Sequence, residues 1–125
     1  MATKIPLVQG DTKPAIIVAI TDESTGLPID ISASTVRMYF RAVGSTIIKA
    51  TIIGTSLTGL VNADGTITTT APYNVAGIGG RVSFPWSATA LDTSGDFEGE
   101  IEITFADASK QSLYELLKFK VRPQF

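Results

Sequence analysis

Residues 96–105, DFEGEIEITF, decide the fold class, because apolar or small side chains alternate in them with polar, mostly acidic ones. Successive side chains of a β-strand point to opposite faces of its sheet. The odd positions are apolar or small and the interleaved even positions are acidic: Phe97, Gly99, Ile101, Ile103 and Phe105 against Glu98, Glu100 and Glu102. The stretch is therefore predicted to be a half-buried strand with an acidic outer face.

A second alternating run, residues 113–121, follows and carries basic residues where the first carries acids. If residues 106–110 close a hairpin, the two strands pair in an antiparallel register. Cross-strand pairs of opposite charge contribute about 0.2–1 kcal/mol each, and an aromatic ring can cover a strand glycine. We interpret the ladder first as a structural device and second as a binding surface. The predicted pairs are Glu98 with Lys120, Glu100 with Lys118 and Gly99 with Phe119.

The rest of the chain consists of short apolar or alternating runs separated by turn signals every 8 to 15 residues. This spacing is typical of a β-sandwich or barrel rather than of βαβ units. The glycine-rich residues 72–80 are predicted to be a mobile loop. The remaining predicted strands are residues 14–21, 36–41, 46–53, 57–61, 66–70 and 81–86, with residues 62–65 as a hairpin turn.

Composition agrees with one all-β domain. The chain has 125 residues, of which 14 are Ile, 8 are Val and 16 are Thr. These β-branched side chains fit a pleated sheet better than a helix. We expect a single domain over residues 1–125, with an extended N-terminal arm at residues 1–12.

The missing residue types exclude several functions. The chain has no His, the usual proton shuttle, and no Cys, the thiol nucleophile. Both residue types are also the usual ligands of zinc. The net charge is −2 without a Lys/Arg run, so nucleic acid is not an expected partner. No apolar stretch is long enough to span a membrane as a helix. We expect no catalysis, no cofactor, no metal and no membrane partner, although residues 92–96 carry oxygen groups that could in principle bind Ca²⁺.

Two surfaces are candidates for protein contacts. Arg37, Tyr39 and Arg41 form a basic and aromatic row on the predicted outer face of one strand, and Arg and Tyr are enriched at interfaces. Ile5 and Leu7 lie in the N-terminal arm, which could cap the domain or cross to a neighbouring copy. We prefer the crossing arm as the route to a homo-oligomer.

Tyr73 and Trp86 are the candidates for an alternative function, the binding of a carbohydrate or receptor. Aromatic rings can stack on sugars, and Trp86 is the only tryptophan in the chain. A lone tryptophan in a small sandwich is more often a core or interface residue. Both interpretations remain open at this point.

Four blocks of the sequence resemble, in order and spacing, the N-terminal immunoglobulin-like domain of the baseplate upper proteins of tailed bacteriophages. The second block looks like a turn-then-strand signature, D-x-x-G-x-P-x-D-[LI]-[ST]-x-A-x-V, with some slack at its start and one residue inserted before the valine. It carries Gly26, Pro28, Asp30, Ser32, Ala33 and Val36. The other blocks are residues 6–12, residues 80–86, and residues 95–107 together with residues 119–123.

The resemblance implies an immunoglobulin-like antiparallel β-sandwich of seven to nine strands that acts as a structural connector of a virion. Family members usually continue into a stalk or receptor-binding part, and no such part follows Phe125 in this sequence. We therefore expect a non-catalytic tail, baseplate or neck connector, or a capsid decoration subunit. Its expected partners are other virion proteins and further copies of itself. Its expected location is the virion, after synthesis in the cytoplasm of a bacterial host.

Overall fold

The fold is all-β, as the sequence predicts. A computed structural model describes residues 4–125, and within that range the chain forms strands and turns without a helix. Eleven strands lie in this range, more than the seven to nine expected, because β5, β6 and β7 are pieces of only two residues. The strands are β1 (Ile5–Val8), β2 (Ile16–Ala19), β3 (Thr35–Ala42), β4 (Ala50–Ile53), β5 (Thr55–Ser56), β6 (Leu60–Val61), β7 (Ile67–Thr68), β8 (Arg81–Phe84), β9 (Gly95–Thr104), β10 (Lys110–Ser112) and β11 (Leu117–Arg122).

The larger of two packed sheets has the strand order β1-β11-β9-β3-β4, with β10 also paired to β9. Its centre is the antiparallel pair of β3 and β9, which runs from Thr35 opposite Thr104 to Ala42 opposite Phe97. At one edge, β1 pairs in parallel with β11. At the other edge, β4 pairs only with β3.

The smaller sheet has the order β2-β8-β5, and β6 and β7 form a separate hairpin. Alternation of apolar side chains directs one face of each sheet inward, and the two inner faces form a single core. Phe40 lies at its centre, with ring centroids 4.9 Å from Phe97, 5.1 Å from Trp86 and 5.5 Å from Phe119. The domain is therefore a β-sandwich.

The predicted hairpin register at the C-terminus is wrong by two residues. Lys118, not Lys120, lies opposite Glu98, and Phe119 lies opposite Phe97 rather than Gly99. The cause is a tight turn that places Lys110 opposite Thr104, after which residues 113–116 shift the pairing by two residues before β11 begins. An even displacement keeps each side chain on its predicted face. The ring of Phe119 still covers Gly99, where an added Cβ would lie 3.1 Å from Cε2 of the ring.

Residues 72–80 are turns, as predicted, but their glycines pack tightly against other segments. The amide of Gly77 donates to the Leu57 carbonyl at 3.0 Å, and the Gly77 carbonyl accepts from Ile31 at 3.0 Å. A Cβ at Gly79 would overlap the carbonyl oxygen of Gly59. Glycine is needed at Gly79 for the close approach of two backbones, so its presence does not indicate a mobile loop.

The two interface candidates in the N-terminal arm were expected to contact a neighbouring copy, but they lie within the domain. Ile5 and Leu7 belong to β1, which is an edge strand of the chain's own larger sheet. Leu7 is buried in the core and Ile5 is half-buried against it. Leu7 is therefore corrected from an interface candidate to a core residue, because its strand pairs within the chain. The first three residues of the expected arm lie outside the described residues.

Candidate functional site on the outer face of the large sheet

The candidate site is the outer face of the larger sheet, where β3, β9 and β11 lie side by side. The basic and aromatic row of β3 faces the acidic row of β9 directly, because β3 and β9 are paired neighbours. Arg37 lies opposite Glu102, Tyr39 opposite Glu100, and Arg41 opposite Glu98. This pairing was not predicted, and it places cations on both sides of the acidic strand.

Glu98 is the centre of this charge network. Its carboxylate accepts from Arg41 Nε at 2.8 Å through Oε2 and from Lys118 Nζ at 3.3 Å through Oε1. Its side chain is only 10% exposed, so the ion pairs replace most of its contact with water. The hydrogen bond from Arg41, and next the one from Lys118, hold the pKa of Glu98 below its ordinary value despite the opposing effect of burial.

Tyr39 is fixed in the same network. Its hydroxyl donates to Glu102 Oε1 at 3.0 Å. That hydrogen bond, followed by burial and the negative charge of Glu102, raises the pKa of Tyr39 above its ordinary value. The tyrosine therefore serves as a neutral donor with a fixed ring orientation.

The remaining acids of the row differ in their partners. Asp96 accepts a hydrogen bond from Lys4 Nζ at 3.2 Å. Glu100 is exposed, and within residues 4–125 no cationic group lies within 4.0 Å of it. Its neighbours in the sheet are Tyr39 on β3 and the segment that precedes β11. Glu100 therefore keeps its charge available to a partner.

A shallow cleft of about 290 Å³ opens on this face. Ile48 and Leu116 supply apolar walls, and charged or hydrogen-bonding side chains supply the floor. The lining residues are Tyr39, Arg41, Ile48, Glu98, Glu100 and Leu116. Such a mixture suits an amphipathic side chain of another protein, with its apolar part against the walls.

Exposed aliphatic side chains lie beside this cleft. Ile47 and Ile48, in the connection from β3 to β4, are 75% and 45% exposed. Val43 in the same connection is 54% exposed, and Ile53 on β4 is 60% exposed. Single exposed aliphatic residues are common, but four along one side of one sheet are typical of a contact surface. Sequence reasoning missed Ile47, Ile48 and Ile53, because residues 46–53 read as one continuous strand.

The alternative in which Trp86 contacts a glycan is contradicted by the position of this residue. Trp86 is 5% exposed, its ring packs on Phe40 and Phe119, and its Nε1 donates to the Pro14 carbonyl at 3.0 Å. The indole face is thus unavailable for stacking on a sugar. Tyr73 is half-buried in a turn, where its carbonyl accepts from the Gly59 amide. Tyr73 alone does not form an aromatic platform.

The carboxylates discussed next lie outside this face and accept hydrogen bonds within turns or form ion pairs. Asp92, in the loop considered for Ca²⁺, accepts from Lys49, which is the main cause of its lowered pKa. Asp22, Asp64 and Asp107 each accept from a hydroxyl two residues later, and this bond lowers the pKa of each. Across the described range, no group of three or more acidic, His or Cys side chains is arranged to hold a metal ion.

A search of residues 4–125 for a helix long and apolar enough to cross a membrane finds none. Comparisons of the chain with protein families, with curated proteins and with solved structures find no match.

Proposed function

We propose that this chain is a non-catalytic structural subunit of a bacteriophage virion, a connector or decoration protein that assembles through protein–protein contacts. Its partners are other virion proteins in the tail, neck, baseplate or capsid, together with further copies of itself. In this proposal the domain is immunoglobulin-like, and the outer face of the larger sheet is a contact surface.

The strand order supports the immunoglobulin-like part of the proposal. In immunoglobulin domains, the third strand, the sixth and the seventh form one sheet in that spatial order, and the first, second, fifth and fourth form the other. Here β3, β9 and β11 are consecutive in the larger sheet, and β2, β8 and β5 make up the smaller one, whereas the first strand, β1, lies in the larger sheet beside β11. Together with the four blocks of sequence resemblance, this order favours a virion connector domain.

The observation that carries the proposal is the row of exposed aliphatic residues beside an internally matched charge network. Arg41 is paired with Glu98 and the neutral Tyr39 hydroxyl donates to Glu102 within the chain, so neither contributes much attraction of its own to a partner. The available attraction comes from the apolar rim at Ile47, Ile48 and the neighbouring residues. Burial of apolar area stabilises a contact by about 25 cal/mol per Å². Many copies of the chain, each making a weak contact, bind strongly together through multivalency.

Because Trp86 lies in the core, no observation supports the alternative function as a carbohydrate-binding module. Several of the carboxylates described above do not suit the role of a general acid. Glu98, Asp92 and the turn aspartates have lowered pKa values, which favour the ionised form, whereas a general acid requires a raised pKa.

The test is the binding of tagged chain to particles that lack it. The double substitution of Ile47 and Ile48 by serine should weaken binding, because it removes the apolar rim without touching the core. Ile67→Ser is the matched control, since Ile67 is 43% exposed on the distant β6–β7 hairpin and Ile48 is 45% exposed. Equal loss of binding in the control and the double variant would contradict the proposed surface. Binding of glycans by the wild-type chain would contradict the proposed function.

A further inference from the structure

The free edge of the larger sheet at β4 is a second contact feature, which shares only Ile53 with the exposed aliphatic residues beside the cleft. β4 pairs with β3 on one side and, within the described part of the chain, with no strand on the other. A hollow of about 370 Å³ lies beside the strand and is lined by Thr51, Ile52, Ile53, Pro85, Trp86 and Ser87. The edge is therefore open to another strand.

The hydrogen-bond pattern shows which backbone groups face outward. The Gly54 amide donates to the Val36 carbonyl at 2.8 Å, so Gly54 and Ile52 direct their backbone groups toward β3. Hydrogen-bonded and non-hydrogen-bonded pairs alternate along an antiparallel ladder. Thr51 and Ile53 consequently direct their amides and carbonyls away from β3, into the open edge.

The four residues of this edge strand include none of the residue types that usually protect one. Proteins protect such strands with charged residues, prolines or bulges that prevent pairing with another chain. The opposite edge of the same sheet has one that β4 lacks, since β1 contains Pro6. The four residues of β4 are Ala50, Thr51, Ile52 and Ile53, all uncharged.

We propose that β4 pairs with β4 of a second copy of this chain, antiparallel about a two-fold axis at Ile52. In this register Thr51 of each copy faces Ile53 of the other, and the outward amides and carbonyls of both residues are matched. β4 itself contains no charge, and Lys49, the cation that precedes the strand, is already held by Asp92 of its own chain. The two larger sheets then form one continuous sheet.

This inference rests on the proposed function, assembly through protein contacts, and names the partner at one edge. Its test is sedimentation equilibrium of the full chain over a concentration series. Thr51→Pro removes an outward amide that makes no bond within the chain, so it should leave the fold intact and raise the dimer Kd at least about tenfold. Thr51→Val keeps that amide and should leave the dimer unchanged.

A second pair of variants protects the test against a folding artefact. Ile53→Glu places a charge at the contact, next to Arg37 on β3, and should also dissociate the dimer. Ile17→Glu is the matched control, because Ile17 is 58% exposed and Ile53 is 60% exposed, but Ile17 lies on the smaller sheet. Ile17→Glu should leave the dimer intact.

Three results would overturn the inference: a monomer at every concentration, a dimer that survives Thr51→Pro, or a dimer lost equally in Ile17→Glu. Amide exchange adds a direct readout, since the Thr51 and Ile53 amides should become protected as the pure protein is concentrated. Protection only after addition of another particle protein would assign the edge to an extended segment of that protein instead. A monomeric chain that still binds particles would end this inference and leave the proposed function standing.

Discussion

Arg41 and Glu98 face each other across β3 and β9, and Arg41 Nε donates to Glu98 Oε2 at 2.8 Å. Lys118 from β11 reaches the other oxygen of the same carboxylate. One carboxylate therefore links three adjacent strands on the outer face of the larger sheet. A carboxylate so little exposed depends on both cations, because each compensates part of its lost hydration.

Glu98→Gln should lower the free energy of unfolding by about 1–2 kcal/mol, since it removes the charge that both cations contact. The loss stays below that of a deeply buried pair, because the Arg41 and Lys118 side chains are 39% and 37% exposed and water screens them. Urea unfolding of the variant measures the change. The control is Glu100→Gln on the same strand, which should change stability by no more than about 0.5 kcal/mol. An equal effect of the two substitutions would contradict the account of the network.

Stability should fall in acid. The folded pKa of Glu98 lies below its unfolded value of 4.5, so its contribution is complete above that pH and is lost as the pH falls through the folded pKa. The turn aspartates Asp22, Asp30, Asp64 and Asp107 add losses of the same sign, below their unfolded value of 3.8. Urea midpoints at about pH 7 and about pH 3 measure the effect. Glu98→Gln should show a smaller fall than wild type, and a parallel fall would refute the assignment to Glu98.

Gly79→Ala should destabilise the domain by about 1–3 kcal/mol or more, because its Cβ would overlap the Gly59 carbonyl and neither backbone can move freely. Thermal unfolding followed by circular dichroism measures the loss. Gly65→Ala is the comparison, since nothing lies within 4 Å of a Cβ at that hairpin turn and only its positive φ of 86° opposes the substitution. That strain costs about 1–2 kcal/mol. A larger loss for Gly65→Ala than for Gly79→Ala would contradict the close-approach explanation.

Trp86→Ala should cost about 3–5 kcal/mol, because the indole fills the core between Phe40 and Phe119 and bonds to Pro14. Tyr114→Ala, at an aromatic residue that is 93% exposed, should cost little. Chemical denaturation of both variants measures the difference. A well-folded Trp86→Ala protein of near wild-type stability would mean that the indole is not a core residue.

Local patterns of the sequence predicted much of the fold. The alternation in residues 96–105 identified β9, and the Asn62 to Gly65 turn correctly joined β6 to β7, because both signals depend only on neighbouring residues. The pairing of β3 with β9 joins segments far apart in the chain, so no local pattern contains it. That pairing determines the candidate site, which explains why Arg37, Tyr39 and Arg41 were identified but their partners were not.

Interruptions within a strand pattern were also difficult to predict. Residues 46–53 read as one strand, yet the chain enters β4 only at Ala50 and leaves Ile47 and Ile48 exposed in the connection. The shift between β10 and β11 has the same origin, since Leu113 and Leu116 continue an apolar pattern that the backbone does not follow. Trp86 was ambiguous because composition alone cannot distinguish a core aromatic residue from a ligand contact.

The central claim is that the chain is an assembled virion subunit. It is tested most directly by a cryo-electron microscopy reconstruction of purified virus particles whose genome encodes the chain. The account predicts density for this sandwich at a fixed copy number, with the Ile47 and Ile48 rim buried against a neighbouring virion protein. Absence of the chain from the particles, together with a purified protein that is monomeric and hydrolytically active, would contradict the account.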